Sequence, residues 1–248
     1  MNLILIDSAE VSSKREIYLE DARALHIRNV LRAQPGDTVR VGILNGPMYQ
    51  AVLLKQDTAG VCLSLPESSI SPPPPRPRVD LLLALPRPKV MKRLWAMLAS
   101  IGVGRIILTN AWKVERNYFD THILQPSAIR SGLLEGLQQA CDTRLPEVTL
   151  YRQLGACLQE EDKNFSAYTA RLVAHPGAGQ NMAATLAEVP PDARILLAIG
   201  SEGGWIPDEI RWLQEKGFSP VSMGNRILRS DVACISLLTL AHAALDGF

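Results

Sequence analysis

The sequence predicts an α/β protein in two parts: a small β-barrel, then a larger domain built on a mostly parallel sheet covered by helices on both faces. Three observations predict it. Short strand signals separated by turn residues fill residues 1–70. A proline run, Ser71-Pro72-Pro73-Pro74-Pro75-Arg76-Pro77, then interrupts the chain. Consecutive prolines fix φ and remove donors, so this stretch is extended and lies outside any sheet interior. Beyond it, strand signals alternate with helical ones, as βαβ units require.

In chain order, the first part has strand candidates at 2–6, 38–44, 48–56 and 61–65. Pro35-Gly36-Asp37 and Asn45-Gly46-Pro47 supply turn chemistry between them, and one helical stretch, 21–31, interrupts the strands. Residues 71–78 read as a semi-rigid spacer. From residue 79 onward, 80–85 is strand-like. Val90, Leu94, Met97, Leu98 and Ile101 recur at helical spacing over 89–101. A β-branched run at 104–109 precedes a helix at 127–140, with Ser127 as its expected N-cap. Strands are expected at 172–174, 195–199 and 220–223, and helices at 207–216 and 230–245.

The chain of 248 residues, 47% hydrophobic and 21% charged, has the length for a packed core and the composition of a globular protein rather than a disordered one. Its longest apolar run, 81–85, is strand-sized, whereas a membrane span needs roughly 18–20 residues. The opening MNLILIDSAEVSSKRE has no basic segment leading into an apolar one, so no secretory signal is expected, and the expected location is cytoplasmic, away from membranes. Cys62, Cys141, Cys157 and Cys234 form no C-x-x-C pair and have no histidine at ligand spacing. Buried reduced thiols are expected, not a metal site or a disulfide framework. The net charge is only +1, but 71–93 holds six basic residues and one acid, Asp80, hence +5 locally. Such a patch on a near-neutral body can track phosphates; it can equally be a solvated loop and helix start.

In parallel sheets, ligands bind beyond the carboxyl ends of strands. Three post-strand loops stand out. They are Ala174-His175-Pro176-Gly177, then Ile199-Gly200-Ser201-Glu202-Gly203-Gly204-Trp205, then Met223-Gly224-Asn225-Arg226-Ile227-Leu228-Arg229-Ser230-Asp231. The second is glycine-rich but lacks the Lys-Ser/Thr of a phosphate loop and the G-x-G-x-x-G of a dinucleotide fold. Glu202 would repel phosphate there. The loop fits a cationic ligand or one held by neutral backbone contacts, or simply a tight strand-to-helix connection. In the third, Ile227 and Leu228 could line a slot for a purine ring, with Ser230 as a helix cap; a capped helix entrance with a surface ion pair is the plainer alternative.

Taken together, the paired segments, 196–204 and 223–233, resemble the signature of the ribosomal-RNA uridine-N3 methyltransferase family: G-P-E-G-G, then L-G-x-R-I-L-R-T-E-T-A. His175-Pro176 resembles the family's His-Pro turn and Ile101-Gly102-Val103 its Leu-Gly-Val. His26-Ile27-Arg28-Asn29-Val30-Leu31-Arg32 with Pro35-Gly36-Asp37 is similar to its H-x-x-x-V-L-R…G-D stretch. The likeness spans nearly the whole chain. Ser201 stands for the family's Pro, Ser230 for Thr, Asp231 for Glu and Ser100 for Glu, which marks a divergent member.

The resemblance implies a PUA-like barrel (1–70), the spacer (71–78) and a SPOUT methyltransferase domain (79–248) with a trefoil knot. It further implies S-adenosylmethionine as cofactor, a homodimer, and ribosomal RNA or the small ribosomal subunit as partner. His175, Pro176, Ile199, Gly200, Gly204, Met223, Gly224, Ile227 and Leu228 would surround the cofactor. Arg229 would stabilise charge on the uracil carbonyls, with Asp231 or Glu202 orienting it or accepting the N3 proton. Arg28, Arg32, Arg76, Arg78, Arg87 and Lys89 would grip RNA phosphates. Methylation of another RNA, or an RNA-binding protein that keeps the fold without catalysis, are the competing expectations.

Overall fold

A computed structural model of the chain describes residues 3–245, and the chain forms two compact units: Met1–Pro75 with Leu134–Leu145, and Arg76–Leu133 with Pro146–Phe248.

The first unit contains β1 (Ile4–Ile6), β2 (Glu16–Leu19), α1 (Ala22–His26), β3 (Thr38–Ile43), β4 (Met48–Gln56) and β5 (Val61–Ser64). They make one curled sheet in the order β1-β3-β4-β5-β2, with β1 parallel to β3 and the other pairs antiparallel. Among the described residues no ladder joins β1 to β2, so the small barrel is an open half-barrel. Its core is the inward set of the alternating strands, including Ile4, Ile6, Ile17, Leu19, Val39, Val41, Leu53 and Leu63. Residue 2 of the expected first strand lies outside the described residues. Asp21 caps α1 by accepting the Arg23 N–H at 2.8 Å. The helix then widens into a π turn over Ile27–Leu31, which Arg32 ends with φ +54.

The second unit contains β6 (Val79–Ala84), α2 (Pro88–Ile101), β7 (Arg105–Thr109), the start of α3 (Pro126–Ala140), β8 (Glu147–Tyr151), α4 (Leu154–Glu160), α5 (Asp162–Phe165), β9 (Ala170–Ala174), β10 (Gln180–Asn181), α6 (Met182–Ala187), β11 (Ile195–Ile199), α7 (Pro207–Glu215), β12 (Ser219–Ser222) and α8 (Ser230–Ala244). Its seven strands run β10-β12-β9-β11-β6-β7-β8, every pair parallel. In the centre of the sheet β6 and β11 are buried at every position and read as apolar runs, interrupted within β6 by Asp80.

Two helix starts differ from expectation. α3 begins at Pro126, whose fixed φ suits the first helical position, so Ser127 sits inside the first turn instead of capping it. Arg229, not Ser230, is the N-cap of α8. The linear division at 71–78 also changes, because Leu134–Leu145 joins the first unit. There the Asn45 N–H donates to the Thr143 carbonyl at 2.7 Å, Thr143 Oγ1 to the Gly46 carbonyl at 2.8 Å, and the Leu145 N–H to Asn45 Oδ1 at 3.1 Å.

The amino ends of the second sheet are tied by buried carboxylates. Asp80 accepts the Tyr168 hydroxyl at 2.7 Å and Arg194 at 2.8 Å. Glu161, 1% exposed, accepts both ends of the Arg105 fork at 2.6 Å, the Tyr151 hydroxyl at 2.8 Å and Asn164 at 2.8 Å. Burial alone would raise the Glu161 carboxyl, but its hydrogen bonds from Arg105, Asn164 and Tyr151 outweigh that and hold it below the usual range. With these ends closed, the carboxyl ends of the strands are left to build a site.

Candidate active site

β12, β9 and β11 are neighbours in the sheet, although they come from distant parts of the chain. Their carboxyl ends therefore deliver the His175-Pro176 turn, the Gly200–Gly204 loop and the Met223–Leu228 loop to one place. These loops enclose a pocket of about 420 Å³, within the range of small-molecule sites. All nine residues expected around a cofactor line it: His175, Pro176, Ile199, Gly200, Gly204, Met223, Gly224, Ile227 and Leu228. Ile227 stands at the lip, 84% exposed, while Ile199 lies in the floor at 2%.

The glycines have local reasons. Gly204 has φ +64, a conformation that costs an L side chain about 1–2 kcal/mol. A Cβ on Gly200 would come within 3.0 Å of Gly204 Cα and 3.1 Å of the Trp205 nitrogen, so the loop folds back on itself only without a side chain there. The chain then enters α7 through Pro207, and Glu209 accepts the Ile206 N–H at 2.9 Å.

The walls are apolar, including Val221, Ala233 and Leu237, yet three polar atoms are buried in them. Ser201 Oγ, Ser230 Oγ and Trp205 Nε1 have no hydrogen-bond partner among the described residues. A buried polar group left unpaired costs about 1–3 kcal/mol, so three around one concavity point to a ligand with several polar atoms and an apolar body. Sequence reasoning missed all three: Ser230 was read as a cap and Ser201 as a bare substitution. Lys113 was missed too. Its stem lies over Gly203, and its Nζ donates to the Gly203 carbonyl at 2.8 Å.

Arg229 and Asp231 stand beside the pocket, not in its lining. Arg229 Nη2 donates to Asp231 Oδ2 at 3.0 Å, and Arg93 from α2 donates to the same oxygen at 3.2 Å. Asp231 Oδ1 accepts the Val232 N–H at 3.0 Å. Glu202 does line the pocket and, among the described residues, accepts only the Arg87 N–H, at 3.1 Å to Oε1 and 3.4 Å to Oε2. Beneath them Cys234 is fully buried, and burial pushes its thiol up to about 12.

The basic window does not form one patch. Arg87 and Lys89 follow the carboxyl end of β6, near Glu202. Arg78 precedes β6, where its guanidinium donates to the carbonyls of Pro191 and Leu245. The six residues of β6 separate these ends by about 20 Å. Arg76 is exposed in the spacer. In the first unit Arg32 is exposed, and Arg28 donates to the Asp57 carbonyl. Among the described residues no group of three or more His, Cys, Asp or Glu could hold a metal, and no helix is long and apolar enough to cross a membrane.

A parallel sheet with a pocket over three adjacent strand ends defines an α/β enzyme-type site for a small ligand. The family model described as RNA methyltransferase domain matches residues 72–242, and the chain belongs to that family. Over 255 aligned residues it is 28% identical to the ribosomal RNA small subunit methyltransferase E of Treponema pallidum, covering 98% of this chain and 92% of the other. Two solved structures share the fold over 98% of this chain. A probable rRNA-methyltransferase from Porphyromonas gingivalis has a TM-score of 0.78, 20% identity and 98% coverage of its own chain. A ribosomal RNA small subunit methyltransferase E from Neisseria gonorrhoeae, bound to S-adenosyl methionine, has a TM-score of 0.75, 17% identity and 97% coverage.

Proposed function

We propose that this protein methylates N3 of a uridine in small-subunit ribosomal RNA with S-adenosylmethionine as methyl donor. The observation that carries the reading is the convergence of three loops on one apolar pocket with three unpartnered buried polar atoms. That lining suits the cofactor: an apolar slot between Ile199 and Leu228 for the purine, and Ser201, Ser230 and Trp205 to meet its polar atoms. The relatives named above act on the same class of RNA, and one of them carries this cofactor.

When bound, the cofactor supplies a methyl group already activated by its sulfonium charge. The protein must therefore present an unpaired uracil in line and remove the N3 proton, since pairing hides that atom. Arg229, held by Asp231, neutralises negative charge on the uracil carbonyls as the proton leaves. Asp231 has both oxygens engaged, one of them by two guanidiniums, so it serves as the orienting group. Glu202, on the pocket wall and occupied by a single backbone N–H, is the group to accept the proton. The N3–CH3 bond forms as the S–CH3 bond breaks.

The same reading includes a second copy of the chain and the threading of the C-terminal segment into a knot. α8 is apolar around most of its circumference, with Val232 exposed and Ile235 and Leu240 half-buried, and Met97 of α2 is exposed as well. Such a helix is normally covered on every side. Arg32, Arg76, Arg87 and Lys89 remain the phosphate-gripping candidates, whereas Arg28 and Arg78 are engaged by backbone carbonyls.

Reverse-transcription mapping of small-subunit RNA from cells with and without the gene tests the proposal. A methyl on N3 blocks Watson–Crick pairing, so a stop at one uridine should vanish on deletion and return with the gene. An unchanged stop pattern would refute the assigned substrate.

A further inference from the structure

A second concavity, of about 500 Å³, opens beside the first at the exit of β7. Of the four tryptophans, Trp95 and Trp205 are buried, at 1% and 4% exposed. The other two, Trp112 at 80% and Trp212 at 46%, are exposed, and both line this one groove. Single exposed apolar side chains need no explanation, but two indoles on one concavity mark a contact surface.

The Trp112 platform is held still from below. Its backbone N–H donates to Glu209 Oε1 at 2.8 Å, while Glu209 Oε2 accepts the Ile206 N–H at 2.9 Å. Glu209 is 3% exposed and is, among the described residues, the only acid lining the groove, and both its oxygens are engaged. The exposed charge on the lining is Arg116, which makes no ion pair among the described residues. The next residue after Trp112, Lys113, crosses Gly203 and lines the first pocket. Consecutive residues thus serve the two concavities, one with an aromatic face and one with a cation.

We infer that Trp112, with Trp212 and Arg116, stacks an unpaired base of the RNA strand whose target uridine enters the neighbouring pocket. This rests on the methyltransferase reading above. A polynucleotide offers both things the groove fits: a π face that any base supplies, and phosphates for Arg116 and Lys113. A base clamped next to the target would hold the strand open and keep the uridine turned out.

The test is binding of a short dye-labelled single-stranded oligouridylate to the full chain, by fluorescence anisotropy. Trp112→Ala should weaken binding about tenfold and Trp112→Phe should keep most of it, because stacking needs only an aromatic face. An oligomer of the same length lacking bases should bind wild type and Trp112→Ala alike. Arg116→Gln should lower the salt slope by about one. Cofactor affinity by calorimetry and sedimentation of Trp112→Ala should match wild type. Equal binding of oligouridylate by wild type and Trp112→Ala would overturn the platform and leave the methyltransferase reading standing. A changed sedimentation of Trp112→Ala would assign the groove to a second copy of the chain instead. Wild-type protein that binds neither cofactor nor oligomer would overturn both readings.

Discussion

The Arg229 guanidinium donates to the Asp231 carboxylate at 3.0 Å, yet Arg229 stays 70% exposed where Asp231 is only 16% exposed. The pair is thus asymmetric. The acid is anchored and shared with Arg93, and the base is aimed by it while most of its donors face outward.

Arg229→Ala should lower methyl transfer about 100- to 1000-fold, the usual loss when one donor to developing charge is removed. Cofactor affinity should stay at the wild-type value, because Arg229 is outside the pocket lining. Turnover by radiolabel transfer and binding by calorimetry separate the two effects. Normal turnover would remove Arg229 from the mechanism.

Ser201→Ala and Ser230→Ala should each weaken cofactor binding about five- to tenfold, the worth of one neutral hydrogen bond. Neither should lower the melting temperature of the free protein, since each deletes a buried hydroxyl without a protein partner. Calorimetry beside a thermal melt gives both readings. Unchanged affinity in both variants would mean that these hydroxyls face no ligand.

Glu161→Gln should destabilise the second unit by about 3–5 kcal/mol at pH 7, because it leaves the Arg105 fork facing a neutral group in a site where Glu161 is buried. The folded carboxyl lies below its ordinary value, so its contribution is full above the unfolded value of about 4.3 and drains away as pH falls through the folded one. Urea midpoints of wild type and variant should therefore differ widely at pH 7 and converge in acid. A gap that is the same at both pH values would rule out the ionised pair as its source.

Thiol labelling should be strongly ordered. Burial raises the Cys157 and Cys234 thiols to about 12, and it raises Cys62 as well, whereas Cys141 is only partly covered. In native protein one equivalent should react quickly, at Cys141, with the other three waiting for denaturant. Fast labelling at Cys234 would mean that α8 opens in the native state.

Much of this architecture was legible from local pattern. The buried strands β6 and β11 announce themselves as apolar runs, with Asp80 the one charge between them. The missed strands are edges: β2 follows Lys14-Arg15, β10 is only two exposed polar residues, and β8 alternates weakly, with Glu147 and Leu150 exposed. The joining of Leu134–Leu145 to the first unit rests on hydrogen bonds to Asn45 and Gly46, partners roughly a hundred residues away. The loops that line the pocket could be found by composition because glycine and proline mark them. The Glu209 contact beneath Trp112 could not, since it crosses 97 residues.

The position of β11 has a consequence for synthesis on the ribosome. It pairs with β6 through Ile195–Val79 and with β9 through Ile195–Ala170, and it occupies the middle of the sheet although only β12 is translated after it. Until it emerges, β6 and β9 each present an apolar edge with no strand between them, the kind of edge that recruits other chains. The nascent protein therefore waits with its most adhesive surfaces open until its last quarter is made. An early stop codon would yield a sticky fragment, not a smaller working enzyme, and a chaperone that shields strand edges would matter most at that stage.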